Sequence, residues 1–173
     1  MKKYIVIING KGGVGKDTLC QVIGEKYAVE NISSITPIKE IAKIGGWKGT
    51  KEDKDRKFLA DLKKLFIEYN DLPFLYLKQQ MEKFLKDNKK ILFVHIREIE
   101  EIKKFLEYAK EKEVFCRTLL IVKKEEETKI YGNEADDNVK EYVYDVVYEN
   151  NMPLKKVKED FMLFFEKNII EEK

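Results

Sequence analysis

The chain has 173 residues, of which 43% are hydrophobic and 38% are charged, so residues 1–173 are expected to form one domain with a packed core. Its 34 basic side chains nearly balance its 32 acidic ones, leaving a net charge of +2. This balance argues against nucleic-acid and membrane-surface proteins, which need clustered positive charge. No apolar run approaches the roughly 18 residues of a membrane span, and no signal peptide is recognisable, which predicts a cytoplasmic protein.

Apolar strands alternate with amphipathic helices along the chain. The predicted strands are Tyr4–Asn9, Ile32–Ile35, Ile91–Ile96, Val114–Val122 and Val143–Tyr148. The predicted helices are Asp17–Tyr27, Pro37–Ile44, Lys51–Asp87 with a break near Asn70–Pro73, Ile99–Lys110 and Pro153–Asn168. This alternation predicts an α/β fold of three layers, in which helices flank a mostly parallel sheet of about five strands.

Three further features of this pattern concern packing. The first half of the long helical region has apolar side chains that are expected to form one face toward the core: Phe58, Leu59, Leu62, Leu65, Phe66 and Tyr69. Residues 123–138 are polar and lack core positions, which indicates a mobile loop. Cys20 and Cys116 lie in periodic segments without metal-ligand spacing, so we expect two buried free thiols.

The segment between the first strand and the first helix has the spacing of a phosphate-binding loop. It consists of Gly10, Lys11, Gly12, Gly13, Val14, Gly15, Lys16, Asp17 and Thr18. The glycines permit a tight turn whose backbone N–H groups face phosphate oxygens, and the N-terminus of the helix adds its positive dipole end. Lys16 would reach the β- and γ-phosphates of ATP. The alternative is an ordinary glycine turn, but the buried strand before the loop and the helix after it favour ATP binding.

Asp17 stands where such loops normally carry a Ser or Thr that contacts Mg²⁺. A carboxylate can hold Mg²⁺ directly or through water, because this hard cation prefers oxygen ligands and keeps several waters. It can also simply favour the first turn of the helix, and Thr18 still offers a hydroxyl group. Asp17 is therefore a predicted Mg²⁺ ligand, with helix capping as the alternative.

Two families resemble parts of this loop. The run "KGGVGK" followed by Thr18 resembles the deviant loop of partition and septum-placement ATPases, whose signature lysine sits at the Lys11 position. The run "GKDT" resembles the loop of phage-type deoxynucleoside monophosphate kinases and animal-type phosphomevalonate kinases. This second similarity continues through "PIKEIAKIGGWKGTKEDKDRKFLADL", "ILFVHIREIEEIKKF" and "NEADD…YDVVYENNMPLKKV". It therefore covers nearly the whole chain.

The kinase resemblance implies an ATP- and Mg²⁺-dependent phosphotransferase that converts a (deoxy)nucleoside monophosphate, or another small phosphorylated acceptor, to its diphosphate. It makes residues 37–88 the acceptor-side segment and 123–138 a closing lid. Arg97, just beyond a strand at the edge where open α/β sheets bind ligands, is a candidate for acceptor binding, with a salt bridge to Glu100 or Glu101 as the alternative. Arg56 and Lys39 are similar acceptor-side candidates. Lys16, Arg97 and Arg56 are thus the expected catalytic residues.

The lid segment has no arginine, so Lys123, Lys124 or Lys129 would have to reach the phosphates, while the run Glu125–Glu127 would oppose them unless it faces solvent. His95, the chain's only histidine, replaces the acidic residue that usually ends this strand in the family. It is expected either to hold a metal-bound water or to be packed.

Several questions stay open at this stage. Arg117 has a structural or a base-stacking role, and Glu98 or Glu101 either clamps Arg97 or begins a helix. A sugar or isoprenoid phosphate kinase shares the loop, and an ATPase switch of the partition type, signalling to a protein partner, is the rival function. The resembling kinases include homodimers, but the sequence leaves the oligomeric state open.

Overall fold

Parallel strands form the centre of the structure, a computed structural model that describes residues 2–50, 52–128 and 138–170. Within these ranges the sheet has five strands: β1 (Tyr4–Asn9), β2 (Val29–Ser33), β3 (Ile91–His95), β4 (Cys116–Val122) and β5 (Val146–Glu149). Their order is β2-β3-β1-β4-β5, and every neighbouring pair is parallel. All six residues of the central strand β1 are buried, as its continuous apolar run predicts.

The helices follow the predicted alternation. They are α1 (Lys16–Gly24), α2 (Thr36–Ile44), α3 (Asp53–Asn70), α4 (Leu72–Lys86), α5 (Ile99–Glu111), α6 (Lys124–Glu127) and α7 (Leu154–Phe165). A 3₁₀ turn covers Val139–Glu141, and a π-helical turn, Glu166–Ile170, follows α7. The break between α3 and α4 is made by Asp71, whose φ of 54° lies in the left-handed region, and by Pro73 in the next turn.

The two faces of the sheet bury separate apolar clusters in the described part of the chain. On β1, Val6 and Ile8 face α1 and α7, whereas Ile5 and Ile7 face α4 and α5. Three layers result, as predicted. Since α1 leaves β1 on one face and α5 leaves the adjacent β3 on the other, the carboxyl ends of these strands form a switch point, the place at which open α/β sheets have their ligand crevice.

The packing of α3 corrects one expectation. Of the six residues of the predicted face, Phe58, Leu65 and Tyr69 are 44%, 59% and 80% exposed, whereas Leu59, Leu62 and Phe66 are half-buried, so the face is only partly covered. All of α3 is described by the structure, and its one buried residue is Lys63. The helix packs against α2 and α4 rather than lying flat on the sheet, so periodicity alone overestimated its burial.

Smaller differences concern boundaries and thiols. β2 begins at Val29, and β5 begins at Val146. Part of the segment expected to be a loop forms α6, while residues 129–137 lie outside the described ranges. Both cysteines are free, Cys20 buried and Cys116 half-buried, and burial raises the pKa of each thiol. None of the described helices combines the length and the apolar character that a bilayer crossing requires.

Candidate active site

The glycine-rich segment forms a tight loop between β1 and α1, at the carboxyl edge of the sheet. Gly10 and Gly15 have φ of 146° and 92°, a region that side chains rarely adopt. A Cβ on Gly10 would collide with the carbonyl oxygen of Ile121, and one on Gly15 would lie 2.6 Å from Nδ2 of Asn150. The loop therefore needs glycine at these two positions both for its backbone conformation and for its close contact with neighbouring elements.

Two asparagines hold this loop in place. Asn150, just after β5, donates from Nδ2 to the carbonyl oxygen of Val14 at 2.8 Å, and its backbone N–H donates to Val122 at 2.8 Å. Asn9, fully buried at the end of β1, accepts from the N–H of Gly10 at 2.8 Å. Sequence reasoning assigned neither residue a role, although both stand directly at the carboxyl ends of strands. The loop is thus tied to three strands of the sheet.

Lys16 and Asp17 begin α1 directly after the loop. The Lys16 ammonium folds back and donates to the carbonyl oxygens of Gly10 and, at 2.9 Å, of Lys11. Asp17 and Thr18 are exposed in the first helical turn. The described residues contain no cluster of three or more His, Cys, Asp or Glu side chains around a metal-sized space. Mg²⁺ usually keeps several waters and binds through one or two carboxylates together with phosphate oxygens.

The end of β3 faces the loop across the crevice. His95 is half-buried, and its Nε2 donates to Oδ1 of Asn31 at 3.2 Å. Burial lowers the pKa of His95; the Asp17 carboxylate opposes this shift, and Lys16 and Arg97 add to it. The lowered pKa favours the neutral form of His95 near pH 7. Asp17, Lys16 and Arg97, three predicted site residues, all contribute to this pKa. The crevice brings Lys16, Asp17, His95 and Arg97 together.

Arg97 follows β3 as an exposed residue on this edge. Its carbonyl oxygen accepts from Nδ2 of Asn9 at 3.2 Å, which connects it to the phosphate loop. The other acceptor-side candidates, Lys39 on α2 and Arg56 on α3, are exposed as well. Arg117 does not face the crevice: it donates to the carbonyl oxygen of Asn168 at 2.5 Å and lies over the Phe115 ring, a structural role.

Sequence reasoning also missed a buried ion pair at the acceptor side. Lys63 is 5% exposed, and its Nζ lies 2.5 Å from Oε2 of Glu98 and 2.9 Å from the hydroxyl oxygen of Ser34. Burial alone would raise the pKa of Glu98, but Lys63, aided by Arg97, holds it below its ordinary value. Lys63 has no sequence signal that separates it from the many surface lysines.

The segment after β4 contacts the loop with a carboxylate. Glu126 is buried, and its carboxylate carbon lies 3.3 Å from the position that a Cβ on Gly13 would take. Of the lid candidates, Lys123 is half-buried and pairs with Glu125 at 3.0 Å, Lys124 is exposed, and Lys129 lies outside the described residues. A small pocket adjoins the loop here, lined by Lys11, Val14, Ile121, Val122, Lys123, Glu126, Val139 and Lys140.

Three aromatic side chains of the acceptor-side segment, Trp47, Tyr69 and Tyr76, are candidates for stacking on an acceptor base. Tyr69 is exposed on α3, whereas Tyr76 packs against the cluster on the α4–α5 face. Trp47 is half-buried, and its buried indole N–H has no hydrogen-bond acceptor among the described residues. Trp47 and Tyr69 therefore remain candidates, and Tyr76 is part of the core.

No family model and no curated protein sequence matches this chain. Solved structures do match. The tunicamycin resistance protein of Deinococcus radiodurans superposes with a TM-score of 0.60 at 11% identity, over 97% of this chain and 98% of that one. A sugar kinase from Janibacter sp. superposes with a TM-score of 0.54 at 13% identity, over 96% of this chain and 95% of that one. The shikimate kinase of Aquifex aeolicus superposes with a TM-score of 0.51 at 15% identity, over 95% of this chain and 97% of that one.

These similarities span nearly the full length of each protein. At identities of 11% to 15% they concern the fold. The chain therefore shares its three-layer α/β fold with these three proteins, two of which are a sugar kinase and a shikimate kinase.

Proposed function

We propose that the protein is an ATP- and Mg²⁺-dependent phosphotransferase that acts on a small phosphorylated acceptor, a (deoxy)nucleoside monophosphate, and produces the diphosphate. One observation carries the proposal: the loop lysine Lys16 follows β1 and the strand-end arginine Arg97 follows the adjacent parallel strand β3, so both cations lie at the same carboxyl edge of the sheet. Phosphoryl transfer needs positive charge on both sides of the moving phosphate, and this arrangement supplies it.

The residues of the loop fit a nucleoside triphosphate and its cation. The backbone from Gly10 to Gly15 turns tightly ahead of the α1 N-terminus, a geometry that favours phosphate. Lys16 rests on loop carbonyl oxygens, from which its flexible side chain can turn to phosphate oxygens. Asp17 offers the hard oxygen ligand that Mg²⁺ prefers. Bound MgATP would supply the transferable phosphoryl group.

The acceptor would occupy the side of the crevice formed by β3, α2 and α3. Arg97 would bind its phosphate bidentately, and Arg56 and Lys39 would add charge from the helices. A phosphate acceptor is already an anionic nucleophile, so transfer needs no general base, and His95 is not assigned that role. His95 would hold a metal-bound water, while Asp17 supplies the negative charge that His95 lacks.

ADP formation from MgATP tests the proposal, first alone and then with a panel of nucleoside monophosphates. We expect one or a few acceptors to raise the rate at least a hundredfold, and Lys16→Ala to abolish it. Slow hydrolysis that no acceptor stimulates would support the ATPase switch suggested by the "KGGVGK" run with Lys11. Stimulation by sugar or isoprenoid phosphates alone would keep the phosphotransferase and replace the acceptor class.

A further inference from the structure

The buried pair of Lys63 and Glu98 joins three acceptor-side segments. Lys63 belongs to α3, Glu98 lies between β3 and α5, and Ser34 lies between β2 and α2. The Lys63 ammonium contacts both partners, at 2.5 Å and 2.9 Å, and the N–H of Ser34 donates to the carbonyl oxygen of His95 at 3.2 Å. One ammonium group therefore ties α3 to the carboxyl ends of β2 and β3.

This contact involves the most buried side chain of α3. Its side chains are all described, and Lys63 is the single buried one, while Phe58, Leu65 and Tyr69 are largely exposed. An 18-residue helix usually docks through an apolar face, because burial of that face supplies most of its tertiary stabilisation. Here a charged link takes the place at which a buried apolar residue would be expected. Leu59, Leu62 and Phe66 are half-buried beside it, so the charge-assisted hydrogen bond is the fully buried part of a contact that is otherwise only partly covered.

The link also connects the two candidate acceptor arginines. Arg56 precedes Lys63 by seven residues, so it lies on the same face of α3, two turns or about 10.5 Å away. Glu98 is the neighbour of Arg97, whose carbonyl oxygen accepts from Asn9 at the end of β1, directly before the phosphate loop. A shift of α3 would move Arg56 relative to Arg97 and to the loop.

We propose that Lys63 and Glu98 are positioning residues. Their ion pair docks α3 so that Arg56 and Arg97 bind the same acceptor phosphate. This inference rests on the proposed phosphotransferase function. Neither residue needs to touch the substrate. A buried pair that costs desolvation energy is maintained here because it sets geometry, since two guanidinium groups bind one phosphate well only at the right separation.

The docking itself is tested by amide hydrogen exchange on the full chain without ligand. Lys63→Met keeps the length of the side chain and removes the charge, and Glu98→Gln removes the charge of its partner. We expect both variants to exchange the α3 amides at least tenfold faster, with the β1 and α1 amides unchanged. The matched control is Lys57→Met, which breaks the exposed 2.7 Å pair with Asp61 on the same helix and should leave α3 exchange as it is.

Steady-state kinetics test the consequence. With the acceptor found in the panel, Lys63→Met and Glu98→Gln should raise the KM for the acceptor at least tenfold and change the KM for ATP less than twofold. The double variant Lys63→Met/Glu98→Gln should be no worse than either single variant, because both remove one link. A merely structural role would lower the amount of folded enzyme without separating the two KM values.

The outcomes are separable from the failure of the proposed function. If no acceptor stimulates the wild type, the phosphotransferase proposal fails, and the positioning role fails with it, while hydrogen exchange still reports whether the pair docks α3. If α3 exchange is unchanged in Lys63→Met, the docking inference is overturned even with a fully active wild type. Faster α3 exchange with an unchanged acceptor KM overturns the positioning role.

Discussion

At the scale of single residues, the electrostatics of His95 are open to direct measurement. Burial lowers the pKa of this imidazole, and Asp17 acts against that shift. We expect a titration midpoint below 6.5, and a still lower one in Asp17→Asn, because removal of the carboxylate disfavours the imidazolium. His95 is the only histidine, so its NMR signals need no assignment among several rings. A midpoint above 6.5 in the wild type would contradict the crevice electrostatics.

Asn150 should matter through the phosphate loop that it holds. Asn150→Ala removes the 2.8 Å bond to the Val14 carbonyl oxygen, and we expect MgATP to bind about fivefold to tenfold more weakly, measured by calorimetry. Asn151→Ala is the control, because Asn151 is exposed and its side-chain oxygen accepts instead from the N–H of Lys124. Equal affinities of the two variants would show that the loop does not depend on Asn150.

Glu126 should oppose nucleotide binding. Its buried carboxylate lies against Gly13 of the loop, where it repels phosphate charge. We expect Glu126→Gln to bind MgATP more tightly, by on the order of threefold to tenfold, whereas Glu125→Gln, an exposed neighbour, changes little. Weaker binding by Glu126→Gln would indicate instead that this carboxylate supports the nucleotide site.

At the scale of secondary-structure elements, the docking of α3 should respond to acid. The pKa of Glu98 is lower in the folded protein than its ordinary value of about 4.3, so folding favours the carboxylate. The ionised Glu98 carboxylate therefore stabilises the fold at pH values above its ordinary pKa. This stabilisation is lost as the pH falls through the pKa of Glu98 in the folded protein. Denaturant unfolding of wild type and Glu98→Gln should therefore show a stability gap at pH 6 that narrows below about pH 4. A gap independent of pH would contradict the pairing with Lys63.

The strands and the phosphate loop could be predicted from the sequence, whereas the packing of α3 could not. Continuous apolar runs such as Tyr4–Asn9 identified the strands, and the glycine spacing identified the loop, because both are local signals. The exposure of the apolar side chains on α3 could not be predicted in full, since periodicity does not tell whether a helix lies on a sheet or at its edge. Lys63 and Asn150 were missed because their roles come from contacts 35 and 136 residues away along the chain.

At the scale of the whole molecule, the strand order brings donor and acceptor sides together. β1 lies between β3 and β4, so the loop after β1 adjoins Arg97 after β3 on one side and Glu126 after β4 on the other. Helices that leave on opposite faces open the crevice between β1 and β3. The proposed function thus uses the switch point of the sheet, where open α/β folds bind their ligands.

The central claim is that the crevice transfers the terminal phosphoryl group of ATP to a second bound molecule. Phosphorus NMR of a mixture of enzyme, MgATP and a nucleoside monophosphate panel follows that group directly. We expect a nucleoside diphosphate to appear at the same rate as ADP, with Lys16→Ala and Arg97→Ala each lowering the rate at least a hundredfold. ATP converted to ADP and free phosphate, with every acceptor unchanged, would contradict the claim.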